Sequence, residues 1–170
     1  GDTVSNNKTV PPGFGYDGTT GIQPRFINIS YNFGHEIGIW EKQSTFYFQA
    51  KSCQNFVENN IIFNGPRSGI NVNDGFGGRT LFKKNIIFNT CRESGAHGPI
   101  NMWSRQPYLT KVRYLNGTAT MERGYDNYTQ NILLANYEAN FILDGDDGSN
   151  NMHATNNLFI YGLHGTKSTY

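Results

Sequence analysis

Asn59-Asn60-Ile61-Ile62-Phe63-Asn64 and Lys84-Asn85-Ile86-Ile87-Phe88-Asn89 are one phrase written twice. Three looser versions accompany it: Ile27-Asn28-Ile29-Ser30-Tyr31-Asn32, Gln130-Asn131-Ile132-Leu133-Leu134-Ala135 and Asn156-Asn157-Leu158-Phe159-Ile160-Tyr161. Counted from the second residue of each, the spacings are 32, 25, 46 and 26. A period near 25 falls within the range of solenoid repeats, in which each unit buries its apolar face against its neighbours. The 46-residue gap is either two tight coils or one coil carrying a long loop.

The chemistry of the phrase accounts for its return. Asn tolerates left-handed backbone geometry and turns the chain sharply before a strand. Equivalent Asn side chains on stacked coils can hydrogen-bond in a ladder. The residues that follow alternate, and Ile29/Tyr31, Ile61/Phe63, Ile86/Phe88, Ile132/Leu134 and Leu158/Ile160 are expected to point inward in files, with Ser30 on the opposite parity. A second strand follows about ten residues on, at Gly38-Ile39-Trp40, Gly69-Ile70-Asn71-Val72 and Asn140-Phe141-Ile142-Leu143. In the third coil its counterpart, Pro99-Ile100-Asn101-Met102, is delayed, so Glu93 to Gly98 reads as a bulging loop. A third strand is expected at Phe46-Tyr47-Phe48 and Thr80-Leu81-Phe82.

Composition agrees. The 170 residues include 22 Asn and 20 Gly, with only 16% charged and 14% aromatic residues. Asn and Gly favour turns, and the Val, Ile, Phe and Tyr between them favour strands. The expected fold is therefore all-β, a right-handed parallel β-helix of roughly six coils over 26–170 with an extended N-terminal arm over 1–25. A β-sandwich would not repeat one phrase at a near-constant period, and a propeller needs longer four-stranded repeats.

Several classes of function are disfavoured. A net charge of +1 leaves no basic stripe for nucleic acid, and no apolar run is long enough to span a membrane. The chain opens Gly1-Asp2-Thr3, which reads as a mature or excised segment of a longer product and is compatible with a cleaved secretion signal. Sequons stand at Asn7, Asn28, Asn116 and Asn127, with Asn116 in the most turn-like context. Cys53 and Cys91 fall about half a coil apart, a placement that suits two small buried hydrophobes better than a disulfide.

The stretch from His35-Glu36-Ile37-Gly38-Ile39-Trp40 to Arg105-Gln106-Pro107 resembles the pectate-lyase-like β-helix proteins of secreted and cell-surface eukaryotic sequences. Phe63-Asn64-Gly65-Pro66-Arg67-Ser68-Gly69, Asn73-Asp74-Gly75-Phe76-Gly77-Gly78 and Asn89-Thr90-Cys91-Arg92-Glu93-Ser94-Gly95 carry the likeness. The resemblance implies acids in the loop and after the Trp, where this chain has Ala96 and Ser104. It also implies a calcium-assisted reaction on acidic glycans with Arg105 or Arg123 as base.

Two constellations could carry chemistry. Asp144, Asp146 and Asp147 place three carboxylates within four residues, a donor set suited to Ca²⁺. His97, Trp103 and Arg105 surround the delayed strand, where Trp can stack on a sugar ring and Arg can grip a carboxylate. His35 and Glu36 adjoin on a strand, point apart and are structural. Asp74 lies in a Gly-rich turn between coils. The sequence thus yields two expectations. One is an extracellular structural or glycan-associated module that stacks end to end, because an uncapped solenoid offers open strand edges. The other is a polysaccharide lyase, epimerase or hydrolase.

Overall fold

The computed structural model of the chain describes residues 24–73, 77–95, 97–104, 108–110, 119–134, 141–146, 149, 151–162 and 164–168. Those residues form five coils. The first holds β1 (Asn28–Ser30), β2 (Phe33–His35) and β3 (Tyr47–Gln49), and the second holds β4 (Phe56–Glu58), β5 (Ile61–Phe63) and β6 (Ile70–Val72). The third contains β7 (Leu81–Lys83), β8 (Ile86–Phe88) and β9 (Ile100–Met102), followed by β10 (Tyr108–Thr110) and β11 (Ala119–Arg123). The fourth is β12 (Asp126–Thr129), β13 (Ile132–Leu134) and β14 (Phe141–Gly145); the fifth is β15 (Met152–Thr155), β16 (Leu158–Ile160) and β17 (His164–Ser168).

Three parallel sheets run along the stack. The first is ordered β1-β4-β7-β12-β15, the second β2-β5-β8-β13-β16 and the third β3-β6-β9-β14-β17. The chain is a parallel β-helix. Its 46-residue gap is one coil, because Ile132 pairs directly with Ile86, and the surplus chain includes the antiparallel hairpin β10-β11. The described residues therefore make five coils where six were expected. The solenoid also begins earlier than residue 26. Arg25 bridges Cys53, which bridges Gly78, and Cys53 N donates to Pro24 O at 3.0 Å. Residues 1–23 of the expected arm lie outside the described residues.

An asparagine ladder turns the corner between the first and second sheets. Its rungs are Asn32, Asn60, Asn85, Asn131 and Asn157. Asn28 instead belongs to β1, opposite Phe56, so the first anchor is Asn32. Each interior rung is satisfied at every polar atom. The Asn85 Oδ1 accepts from Asn60 N at 3.1 Å and Asn60 Nδ2 at 3.0 Å. Its Nδ2 donates to Val57 O at 2.8 Å and to Asn131 Oδ1 at 3.0 Å. The left-handed residue is the one before the rung: Tyr31, Asn59, Lys84, Gln130 and Asn156 have φ of 59°, 57°, 55°, 57° and 56°.

The inward parity in the second sheet is opposite to that expected. Ile62, Ile87 and Leu133 are buried and Phe159 packs against the core, whereas Ile61 and Leu158 are exposed. In the first coil the matching inward position is Gly34, where a Cβ would strike the Phe46 ring that fills the space. Two strand assignments also shift. Gly38-Ile39-Trp40 is a turn, and β3 takes its place in the third sheet. Leu81–Lys83 lies in the first sheet and Tyr47–Gln49 in the third, so they are not equivalent strands.

The core is a column in which Val57, Phe82 and Tyr128 of the first sheet meet Ile62, Ile87 and Leu133 of the second and Tyr47, Ile70 and Ile100 of the third. Phe82 and Tyr128 stack with centroids 4.6 Å apart, 4° from parallel. A polar network crosses this interior. Tyr47 Oη and Thr80 Oγ1 donate to Gln49 Oε1 at 2.8 and 2.9 Å. Thr80 N donates to Asp126 Oδ1 at 2.8 Å. Burial without a cationic partner pushes the Asp126 carboxyl up to about 7, against the pull of that one amide.

Candidate functional site

The connections from the second to the third sheet differ in length, and this difference builds a cleft. Residues 36–46 and 89–99 are long connections on either side of the short 64–69 connection. The cleft is lined by residues of both long connections and by Asn64 and Pro66 of the short one, its floor. Arg92 N donates to Gly65 O at 3.3 Å, Glu93 N to Pro66 O at 3.0 Å and Cys91 N to Arg67 O at 3.0 Å, which anchors the second loop on the floor. Gly38 adopts φ +81° and lies so close to Pro66 that a Cβ would approach its Cγ to 2.7 Å, which seats the first loop. Lys42 Nζ meets Glu93 Oε1 at 2.7 Å across the gap. With both side chains about half exposed, that pair contributes little to stability. It spans the gap between the two connections.

The cavity between them measures about 300 Å³ and is lined by Glu36, Lys42, Asn64, Pro66, Arg92 and Glu93, among others. Left-handed backbone at Glu36, Asn64 and Asn89 (φ 54°, 55° and 50°) directs these side chains into one outward file. Asn64 Nδ2 donates to Glu36 Oε1 at 2.8 Å, and Asn89 Nδ2 donates to Asn64 Oδ1. In the first loop Trp40 is 90% exposed, next in the chain to Ile39, which is also exposed and lines the cavity. The cleft thus brings together Lys42 and Arg92 as donors with Glu36 and Glu93 as acceptors, and the exposed Trp40 follows its lining residue Ile39 in the chain.

Beneath the second loop, Arg67 Nη2 lies 3.0 Å from His97 Nε2. A guanidinium can only donate, so Nε2 accepts and the imidazole is neutral. Its proton sits on Nδ1, 3.0 Å from Gly95 O, with Ser94 Oγ 3.2 Å from the same nitrogen. Burial holds His97 below its ordinary range and the Arg67 charge adds to this, while Gly95 O, Asp144 and Asp146 pull the other way. Cys91 Sγ donates to His97 O at 3.2 Å. Cys53 and Cys91 form no disulfide and are fully buried, as expected of small core residues. Burial pushes the Cys91 thiol up to about 12.

Asp144 is also buried. It alternates with inward Leu143 and Gly145 in β14, opposite Asn101 and, one strand further, Asn71. Those three side chains therefore share the outer face of the third sheet, all at most 2% exposed. Asn101 Nδ2 donates to Asp144 Oδ2 at 3.1 Å. Asp146 follows the strand, and its backbone N donates to Met102 O at 2.8 Å. Asp147 lies outside the described residues. Ca²⁺ takes six to eight oxygens, and among the described residues no three His, Cys, Asp or Glu side chains gather to hold a metal. The described side chains alone do not form such a cage.

Trp103 follows β9, half-buried, with its N donating to Val72 O at 2.7 Å. Arg123 ends β11, opposite Tyr108 in the hairpin. Arg105, Asp74, Ala96, Asn7 and Asn116 lie outside the described residues. Asn28 is exposed on the outer face of the first sheet, and Asn127 shares its register column. His35 is exposed and stacks on Phe63 at 5.1 Å, a structural role. Sequence reading found His97 but passed over Trp40, Arg92 and the Arg67 beside that histidine. The unequal spacing of the loops was the signal for the cleft, and reading Trp40 as a strand residue concealed it. Comparison with protein-family models, curated proteins and solved structures finds no match to this chain.

Proposed function

We propose that the chain is an extracellular, glycan-associated β-helix module that binds saccharide in the cleft between the 36–46 and 89–99 connections. The observation that carries this reading is a cavity of about 300 Å³ lined by both donors and acceptors, with the exposed Trp40 next in the chain to its lining residue Ile39. A sugar ring needs both kinds of contact, an apolar platform for its C–H face and hydrogen bonds for its hydroxyls. Arg92 in the lining could grip the carboxylate of an acidic saccharide. The outward Asn28 and Asn127 sequons suit a secreted product. The pectate-lyase-like resemblance belongs to the same reading, as does end-to-end assembly through the outermost strands β1–β3 and β15–β17.

Titration calorimetry against neutral and acidic oligosaccharides tests it. Binding to the wild type that weakens at least about tenfold in Trp40→Ala supports the site. Silence across the panel, or affinity indifferent to Trp40, removes it. A second reading, catalysis on acidic polysaccharide, draws on the neutral His97 beside Arg67 with Asp144 and Asp146 in its field. Release of unsaturated or shortened product, lost in His97→Gln, would favour that reading.

A further inference from the structure

The second sheet turns an unusual face outward. Two register columns alternate with its buried file: Phe33, Ile61, Ile86, Ile132 and Leu158, then His35, Phe63, Phe88, Leu134 and Ile160. Nine of these ten outward positions are apolar, and none carries a carboxylate, amine or guanidinium. Phe33 is 64% exposed and Leu158 53%. Phe63 and Phe88 lie face to face at 4.8 Å, 4° from parallel, with His35 stacked on Phe63 and Phe33 edge-on to it. Tyr31 and Tyr161, each more than four-fifths exposed, stand at opposite ends of the face.

We infer that this face is an interface with a second copy of the chain, packed sheet on sheet. A surface without formal charge does not repel a second copy of itself, so two copies can meet without desolvating an unpaired ion. The parallel registers continue strand to strand without a bulge, so five strands at about 4.8 Å spacing present a continuous face that packs at about 10 Å. At about 150 Å² for each side chain, the low end for a large one, the exposed fractions of Phe33, Ile61, Leu158, Tyr31 and Tyr161 amount to roughly 500 Å² per copy. Two copies together bury about 1,000 Å², the lower bound for a specific interface. Tyr31 and Tyr161 then supply an amphipathic rim. A saccharide fits this face poorly, because His35 is the sole hydrogen-bonding side chain among its ten outward positions. The face borders the glycan cleft, whose lining Glu36 and Asn64 follow His35 and Phe63 in the chain, and is distinct from the strand edges at the ends of the stack.

Sedimentation velocity across the micromolar range tests the proposal on the full chain. A reversible monomer–dimer equilibrium is expected, with its dissociation constant raised at least about tenfold in Phe33→Lys and in Leu158→Lys. Both side chains are more than half exposed, so circular dichroism and melting should stay those of the wild type. Thr155→Lys, on the outer face of the first sheet, should leave association unchanged. A monomer at every concentration overturns the proposal, as does a dimer indifferent to both substitutions. Growth beyond two copies that ignores them would assign association to the strand edges instead. Flotation of the wild type with neutral phosphatidylcholine vesicles, abolished by Phe33→Lys, would make the face a lipid surface and also overturn it.

Discussion

Replacing Asn85 with Ala removes one rung from the middle of the ladder and leaves the backbone path intact. Two buried donors, Asn60 N–H and Asn60 Nδ2, lose the oxygen that serves both. Val57 O and Asn131 Oδ1 each lose one donor, and Asn131 Oδ1 keeps Asn85 N. Each buried donor left without a partner costs about 1–3 kcal/mol, so the substitution should cost roughly 3–5 kcal/mol. That is a large share of a stability of about 5–15 kcal/mol. The ladder's direction supplies the control. Asn32 only donates into it, and Asn60 Oδ1 still receives Asn32 N–H when that side chain is gone. Asn32→Ala should therefore cost less than about 1 kcal/mol. Asn157→Ala strips the acceptor from two donors of Asn131 at a partly buried site and should fall between. Equilibrium urea unfolding followed by circular dichroism gives the three values from the midpoint shifts at constant slope. If Asn32→Ala cost as much as Asn85→Ala, the directional account of the ladder would be refuted.

Four further outcomes are expected. The Asp126 carboxyl is held near 7 when folded and near 3.8 when unfolded. The folded state therefore keeps a proton that the unfolded state releases, and stability falls as pH rises from about 4 to about 7. Asp126→Asn should flatten that slope and raise the urea midpoint at pH 8; a midpoint equally steep in both proteins would contradict this. Lys84 sits at φ 55° on an exposed corner, so Lys84→Val should lower stability by about 1–2 kcal/mol and Lys84→Gly should not, as melting curves would show. In Arg67→Gln, NMR titration should find His97 protonating at higher pH than in the wild type, because the guanidinium disfavours the imidazolium. A thiol reagent should label neither Cys53 nor Cys91 in the native protein and both in denaturant without prior reduction.

The phrase at Asn60 and Asn85 carried the solenoid, its period and its ladder, because turn chemistry and stacking are written into adjacent residues. The inward parity was not legible. Ile61-Ile62-Phe63 is apolar at all three positions, and only the pairing of Ile62 with Gly34 and Ile87 shows which side is the core. A polar outer face would have given the alternation away, but this sheet turns apolar residues outward too. Tyr31-Asn32 hid the first rung, because Asn28, four residues earlier, satisfied the same pattern. The delayed strand after Glu93 was readable from spacing. The pairing of Arg67 with His97 was not, since thirty residues separate them and only the coil stacking brings them together.

The ladder fixes the corner of a coil without reference to how much chain lies between corners. Successive rungs are separated by 28, 25, 46 and 26 residues, yet each meets the next through the same pair of hydrogen bonds. Length variation is thereby confined to the segments that leave one corner and return to the next. The same arrangement makes the β10-β11 excursion a natural graft point. A foreign loop placed there would alter the contour of the surface and leave the stacking register where Asn85 and Asn131 set it.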